Sequence, residues 1–171
     1  SLRRQRQMCI RDSYRSILKL SGHPPQGWHT KSSTSPFTRD LLIEHGGFMY
    51  DSNAYNDDIP YVIRQNDRKF VIIPYSFDTN DMRFDGNNGF VQGDDFNTYC
   101  KESFNQILRE TDDGSLRMMS IGLHPRIIGR PGRIKGLEDF IKYIKTYENV
   151  WIPKRIDIAK YCLEKDSFNF F

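Results

Sequence analysis

The chain has no apolar run approaching the ~18 residues of a membrane-spanning helix. No positively charged stretch leads into an apolar core near its start, so no secretory leader is read there. Only three of the 171 residues are cysteine, and Cys100 and Cys162 stand far apart in no metal-binding spacing. Both fall on amphipathic stretches. They are expected to be reduced core residues, which points to a cytoplasmic protein rather than a disulfide-stapled secreted one. The sequence also lacks GxSxG, a P-loop and a GxGxxG turn before a helix. The glycines from Gly86 to Gly93 are too irregular for a phosphate cradle. His23, His29 and His45 form no HxxxH or HxxEH pattern, so no complete zinc site is read. No repeat of fixed period and no low-complexity segment is visible.

What remains is a globular composition, 37% hydrophobic and 13% aromatic. The formal net charge of +3 depends on the first thirteen residues. Ser1–Ser13 is polar and arginine-rich, with Arg3, Arg4, Arg6 and Arg11 against Asp12. Met8–Ser13 resembles the translation of a sequencing-library adapter. The segment is therefore read as an assembly artefact, with a basic disordered tail as the alternative, and is set outside the fold. The rest of the chain then carries as many acidic as basic residues, and neither a nucleic-acid nor a membrane partner is expected.

Taken in order, Tyr14–Leu20 reads as the end of a helix stopped by Ser21-Gly22. Gln26–Thr30 reads as a short strand. Ser35-Pro36 is expected to start a helix carrying Phe37, Leu41, Leu42 and His45 on one face, ended by Gly46-Gly47. Phe48–Asp51 is a second strand. Tyr61–Ile63 and Phe70–Tyr75 flank Gln65–Arg68, the pattern of a hairpin. Asp94 is placed as the cap of a helix bearing Phe96, Tyr99, Cys100, Phe104, Ile107 and Leu108. Leu116–Leu123 reads as a buried strand. Ile134, Leu137, Ile141 and Ile144 line another helix, Val150–Ile152 a strand, and Ile156, Ala159 and Leu163 a last helix. Residues 166–171 form a tail. This alternation predicts a parallel sheet with crossover helices and an inserted β-hairpin. With roughly four parallel strands against the roughly 250 residues of a complete (β/α) barrel, it suits a small open sheet or the C-terminal part of a barrel.

Candidate chemistry gathers at Met118–Arg133. An apolar run ends in His124, and Pro125 stops it, leaving the imidazole at a strand mouth. Arg126, Arg130 and Arg133 follow. Cations are unfavourable at a helix N-terminus, so Arg130 and Arg133 there imply an anionic or strongly polar partner. Asp78 and Asp81 follow an apolar strand; one of them is expected to orient a base or a substrate amide, the other to be a turn former. Asp51, Asp57 and Asp58 also flank a strand end, as an acidic loop or a cation site. Trp28 and Trp151 read by residue type as core.

The stretch Ser120–Arg133, SIGLHPRIIGRPGR, resembles the last motif of the polysaccharide deacetylase superfamily, and more narrowly its allantoinase branch. Gly27–Thr30, Ser35-Pro36 with Thr38-Arg39, Gly46–Ser52, Tyr55–Tyr61, Pro74-Tyr75, Asp78–Phe84 and Arg155–Ala159 agree in the same order. Pro125 stands where that branch carries cysteine. The resemblance implies the C-terminal part of a distorted (β/α) barrel. It implies a hydrolase of carbon–nitrogen bonds outside peptides, opening the ring of allantoin to allantoate, with a metal-dependent polysaccharide or peptidoglycan N-deacetylase or a non-catalytic domain as alternatives. His124 is then the general acid/base, with Asp78 or Asp81 orienting it. Arg126, Arg130, Trp28, His29 and Tyr55 contact substrate. No cofactor is expected in this segment; a divalent metal, if used, takes its ligands from the superfamily's N-terminal half. The partner is a small cyclic amide and the assembly a homo-oligomer. Such a segment alone is expected to be inactive.

Overall fold

A computed structural model describes residues 1–31, 34–86, 89–111 and 114–165. The expected tail at 166–171 lies outside the described residues. The chain forms two compact units, Ser1–Pro74 with the segment from Pro153, and Tyr75–Ile152.

The first unit holds helix α1 (Leu2–Ser21), strand β1 (Gly27–Trp28), helix α2 (Thr38–His45), strands β2 (Tyr50–Asp51), β3 (Tyr61–Gln65) and β4 (Arg68–Ile72), and helix α5 (Arg155–Lys165). The sheet runs in the order β1-β2-β4-β3. β1, β2 and β4 are parallel, and β3 pairs antiparallel with β4. The hairpin is therefore not an insertion beside the parallel sheet, since its second strand is the third parallel strand. Residues 1–13, set apart in the sequence, form the first turns of α1, and Ile10 is buried with Leu41, Leu42, Ile43, Phe48, Phe70 and Ile72. Ile10 is the one buried residue of α1, too sparse to show as a period. Ser35-Pro36 does not begin α2. Thr38 is the first helical residue, and its Oγ1 accepts from the Ser35 N–H, so the serine belongs to the preceding turn.

The turn of the hairpin holds Asn66 and Asp67, with φ of 50° and 59°. Two successive left-handed residues make the type I′ turn that matches strand twist. An aspartate there carries a left-handed cost that glycine avoids. Asp67→Gly is expected to raise stability by up to about 1 kcal/mol, read as a higher urea midpoint at unchanged slope.

The second unit holds a 3₁₀ turn (Asp81–Asp85), α3 (Gly93–Arg109) and α4 (Pro131–Ile144). Its core is Phe84, Phe90, Phe96, Cys100, Phe104, Ile127, Ile128 and Phe140. Asp94 is not the cap of α3. Gln92 is, and the Asp95 carboxylate accepts from the Val91 and Gln92 N–H groups at 2.8 Å, closing a capping box. On α4 the buried residues are Gly136 and Phe140, while Ile134 and Ile141 are exposed. A side chain on Gly136 would meet the Gly93 carbonyl at 1.9 Å, so backbone contact with α3 chooses the buried face. Leu116–Leu123 is not a ladder strand; its one pairing is the parallel bridge of Gly122 with Asn80. Val150–Ile152 forms no strand either, and Trp151 is exposed, not core.

Cys100 and Cys162 are buried and free, and Cys9 is exposed. Burial pushes the Cys100 thiol up to about 12 and the Cys162 thiol up to about 11. A thiol reagent at pH 8 is therefore expected to label one cysteine in the native protein and three after denaturation.

Candidate active site

His124 and Asp81 meet in the second unit. The chain segment after Tyr75 is fixed from below. Asn80, fully buried, gives its amide to the Tyr75 hydroxyl at 2.9 Å and accepts from the Met82 N–H at 2.9 Å, capping the 3₁₀ turn. Thr79 donates its hydroxyl to the Ser120 carbonyl, the Gly122 N–H reaches the Thr79 carbonyl at 3.0 Å, and the Asp81 N–H reaches the Gly122 carbonyl at 3.0 Å. A side chain at position 122 would fall 2.1 Å from the Asn80 amide, so glycine is what lets the two segments touch.

This alignment delivers the Asp81 carboxylate, with no solvent exposure, against the residues that follow Gly122. One oxygen accepts from the His124 backbone N–H at 2.6 Å and from the Ile128 N–H at 3.2 Å. The other lies 2.6 Å from His124 Nδ1. Because the carboxylate accepts, Nδ1 carries the proton, and in the neutral ring Nε2 is left with its lone pair. The ring is about a quarter exposed. The His124 carbonyl accepts from the Ile127 and Ile128 N–H groups, and both isoleucines are buried in the core cluster, which anchors the loop. A buried carboxylate holding one nitrogen of a partly exposed imidazole is an acid/base arrangement: the ring can take a proton at Nε2 with its charge balanced at Nδ1.

Asp78 goes elsewhere. It accepts from the Tyr99 hydroxyl at 2.5 Å and sits 3.6 Å from the Arg83 guanidinium. Arg83 lies over the rings of Phe90 and Tyr99 at 4.6 and 4.2 Å. The hydrogen bond to Asp78 raises the Tyr99 phenol above its ordinary value. Arg83 and Tyr99 carry no site role in the sequence reading, where an arginine after an acidic turn and a tyrosine on a helix face give no functional signal.

Arg126 and Arg130 line a cleft of about 640 Å³ with Arg133, Asp85, Val91, Ile127 and Gly132. In the first unit, Trp28 packs edge-on against Phe48 and donates Nε1–H to Thr30 at 2.8 Å. His29 places Nδ1 2.8 Å from the Ser52 carbonyl. Tyr55 is half exposed. A pair absent from the sequence reading also lies here: buried Asp51 accepts from Arg39 at 2.8 and 3.3 Å, and from the Asn53 N–H. Asp57 accepts from the Asp58 and Ile59 N–H groups, the behaviour of a turn former. Among the described residues no three histidine, cysteine or carboxylate side chains gather as metal ligands. No described helix is long and apolar enough to cross a membrane.

No protein-family model matches the chain. A Schizosaccharomyces pombe protein named as a polysaccharide deacetylase is 35% identical over 167 residues, covering 88% of this chain and 52% of that one. A peptidoglycan deacetylase of Helicobacter pylori is 26% identical, over 87% of this chain and 61% of its own. Among solved structures, PuuE allantoinase superposes with a TM-score of 0.87 at 41% identity, covering 96% of this chain and 54% of that chain. A Pseudomonas aeruginosa protein named as a polysaccharide deacetylase gives 0.88 at 41% identity, over 95% and 54%. The chain spans about half the length of these relatives.

Proposed function

Because the chain belongs to the polysaccharide deacetylase superfamily, we propose that it supplies the acid/base wall of a hydrolase acting on a non-peptide carbon–nitrogen bond, and that the bond is the ring amide of allantoin. The observation that carries the reading is the pairing of His124 with buried Asp81. His124 Nε2 takes a proton from a water as its oxygen adds to the amide carbonyl carbon. The same nitrogen returns that proton to the departing nitrogen as the C–N bond breaks, giving a carboxylate and a free ureido nitrogen. Asp81 holds Nδ1–H through both transfers and balances the imidazolium between them. Arg126 or Arg130 would polarise the carbonyl oxygen as charge develops on it.

The allantoin reading is supported by 41% identity to PuuE allantoinase. Deacetylase names among the other relatives favour an N-acetylated polysaccharide as the second reading. The polypeptide that carries this segment, assayed on allantoin and on N-acetylglucosamine oligomers under the same conditions, is expected to release allantoate and no acetate. Acetate release without allantoate would transfer the same dyad to a deacetylase. Release of neither would remove the enzymatic reading.

A further inference from the structure

The turn that delivers Asp81 is closed by one side chain. Asn80 is fully buried, and both ends of its amide are used. Its Oδ1 accepts from the Met82 N–H at 2.9 Å. Its Nδ2 donates to the Tyr75 hydroxyl oxygen at 2.9 Å and to the Ser76 carbonyl at 3.3 Å. Only one orientation of the amide suits these partners, because a backbone N–H can only donate and a backbone carbonyl can only accept. The side chain thus fastens Met82, just past Asp81, to Tyr75 and Ser76, where the loop holding Asp78 begins.

The backbone on either side of Asn80 is held to one partner, Gly122. The Gly122 N–H donates to the Thr79 carbonyl and the Asp81 N–H to the Gly122 carbonyl, both at 3.0 Å. A side chain at position 122 would meet the Asn80 amide nitrogen at 2.1 Å and the Tyr75 hydroxyl at 2.5 Å. Amide, phenol and bare Cα therefore set the spacing of the two segments. One segment carries Asp81 a residue later, and the other carries His124 two residues later.

A cap alone does not call for asparagine. Serine and aspartate accept an N–H at the same position. Serine lacks the reach of the amide, and an ionised aspartate has nothing to donate to the Ser76 carbonyl. Aspartate would also bury a second carboxylate beside Asp81, each disfavouring the charge of the other.

We infer that Asn80 is the positioning residue of the His124–Asp81 dyad. Its Nδ2 ties the Asp81 turn to Tyr75 and Ser76, and this tie, beyond the cap on Met82, sets the carboxylate against His124 Nδ1. Asn80 touches no reacting atom and acts through Asp81. The kinetic arm of its test rests on the hydrolase reading; the ring tautomer reports the tie without any substrate.

Two variants separate tie from cap in the polypeptide that carries this segment. Asn80→Ala removes both, whereas Asn80→Ser keeps an acceptor for the Met82 N–H and loses the tie. Asn80→Ser is expected to regain part of the urea midpoint that Asn80→Ala loses, and to regain none of the activity. Both should lose up to about 10²-fold in kcat, the cost of a misplaced catalytic group, with KM little changed. Nitrogen-15 NMR should show the neutral His124 ring passing from a proton on Nδ1 to a mixture with Nε2. Tyr75→Phe, which removes one of the two acceptors of Nδ2, is expected to move both readouts the same way by less, and it carries the test where the variants at position 80 do not fold. Asn80→Ser with wild-type kcat and the proton still on Nδ1 would overturn the inference and leave Asn80 a cap. Tyr75→Phe indistinguishable from wild type in both readouts would overturn it too. Failure of the hydrolase reading looks different: no turnover in any form, with the ring proton still displaced in Asn80→Ser.

Discussion

Replacing His124 by alanine is expected to lower kcat for C–N hydrolysis by about 10²–10⁴-fold, the range of a lost acid/base group, with little change in KM. The imidazole is the exposed member of the dyad; Asp81 has no exposure and acts through it. Asp81→Asn should therefore fall nearly as far by a different route. An asparagine amide in place of the carboxylate oxygen beside Nδ1 would donate to that nitrogen and move the ring proton to Nε2, the wrong tautomer for accepting a proton from water. The double variant should be no worse than the poorer single variant, because the two residues form one device. Additive losses, or activity of His124→Ala within a few fold of wild type, would show that the dyad is structural.

The largest stability effect is expected at Phe96. Its side chain is fully buried, stacked on Phe84 at 6.3 Å and edge-on to Phe90 at 5.7 Å. Phe96→Ala removes that contact surface and leaves a cavity that helices tied together at Gly93 and Gly136 cannot collapse to fill. The expected loss is about 3–5 kcal/mol, a large part of the roughly 5–15 kcal/mol that holds a domain folded. Leu116→Ala, at a half-exposed side chain, is the control and should cost well under 1 kcal/mol. The same core holds Ile127 and Ile128, whose N–H groups bond the His124 carbonyl. Near the denaturation midpoint, Phe96→Ala should thus release the His124 loop as well as the core. Equal denaturation midpoints for Phe96→Ala and Leu116→Ala would contradict this assignment of the core.

Sequence periodicity reported the elements whose burial is one-sided. The spacing of Phe96, Cys100 and Phe104 gave α3 because every third or fourth residue meets the same core. The hairpin was readable because Asn66-Asp67 suits the left-handed turn it occupies. Periodicity found α4 and placed Leu137 and Ile144 on its core side, but it also placed Ile134 and Ile141 there, because the closest approach is made by a residue without a side chain, Gly136, and hydrophobicity has no term for that. It misread Leu116–Leu123 because an apolar run reports burial potential and not which backbone lies alongside; pairing there is confined to Gly122. The site was legible in part. His124 and its arginines announced themselves by composition around a strand-like run. The choice between Asp78 and Asp81 did not, since the four-residue polar turn Asp78–Asp81 offers both carboxylates equally. Asn80 decides it by capping the 3₁₀ turn, which carries Asp81 inward and leaves Asp78 to Tyr99 and Arg83. Arg39 and Asp51, twelve residues apart on α2 and β2, pair only once the fold exists.

If Asp81 fixes the His124 ring with its proton on Nδ1, Nε2 is free to take one. Nitrogen-15 NMR of the histidine rings, with His124 assigned by its loss in His124→Ala, tests this without any substrate. In the neutral ring the proton is expected on Nδ1, at a downfield position typical of a hydrogen bond to a carboxylate, and expected to shift to Nε2 in Asp81→Asn. A neutral His124 protonated on Nε2 in the wild-type protein, with no response to Asp81→Asn, would contradict the account.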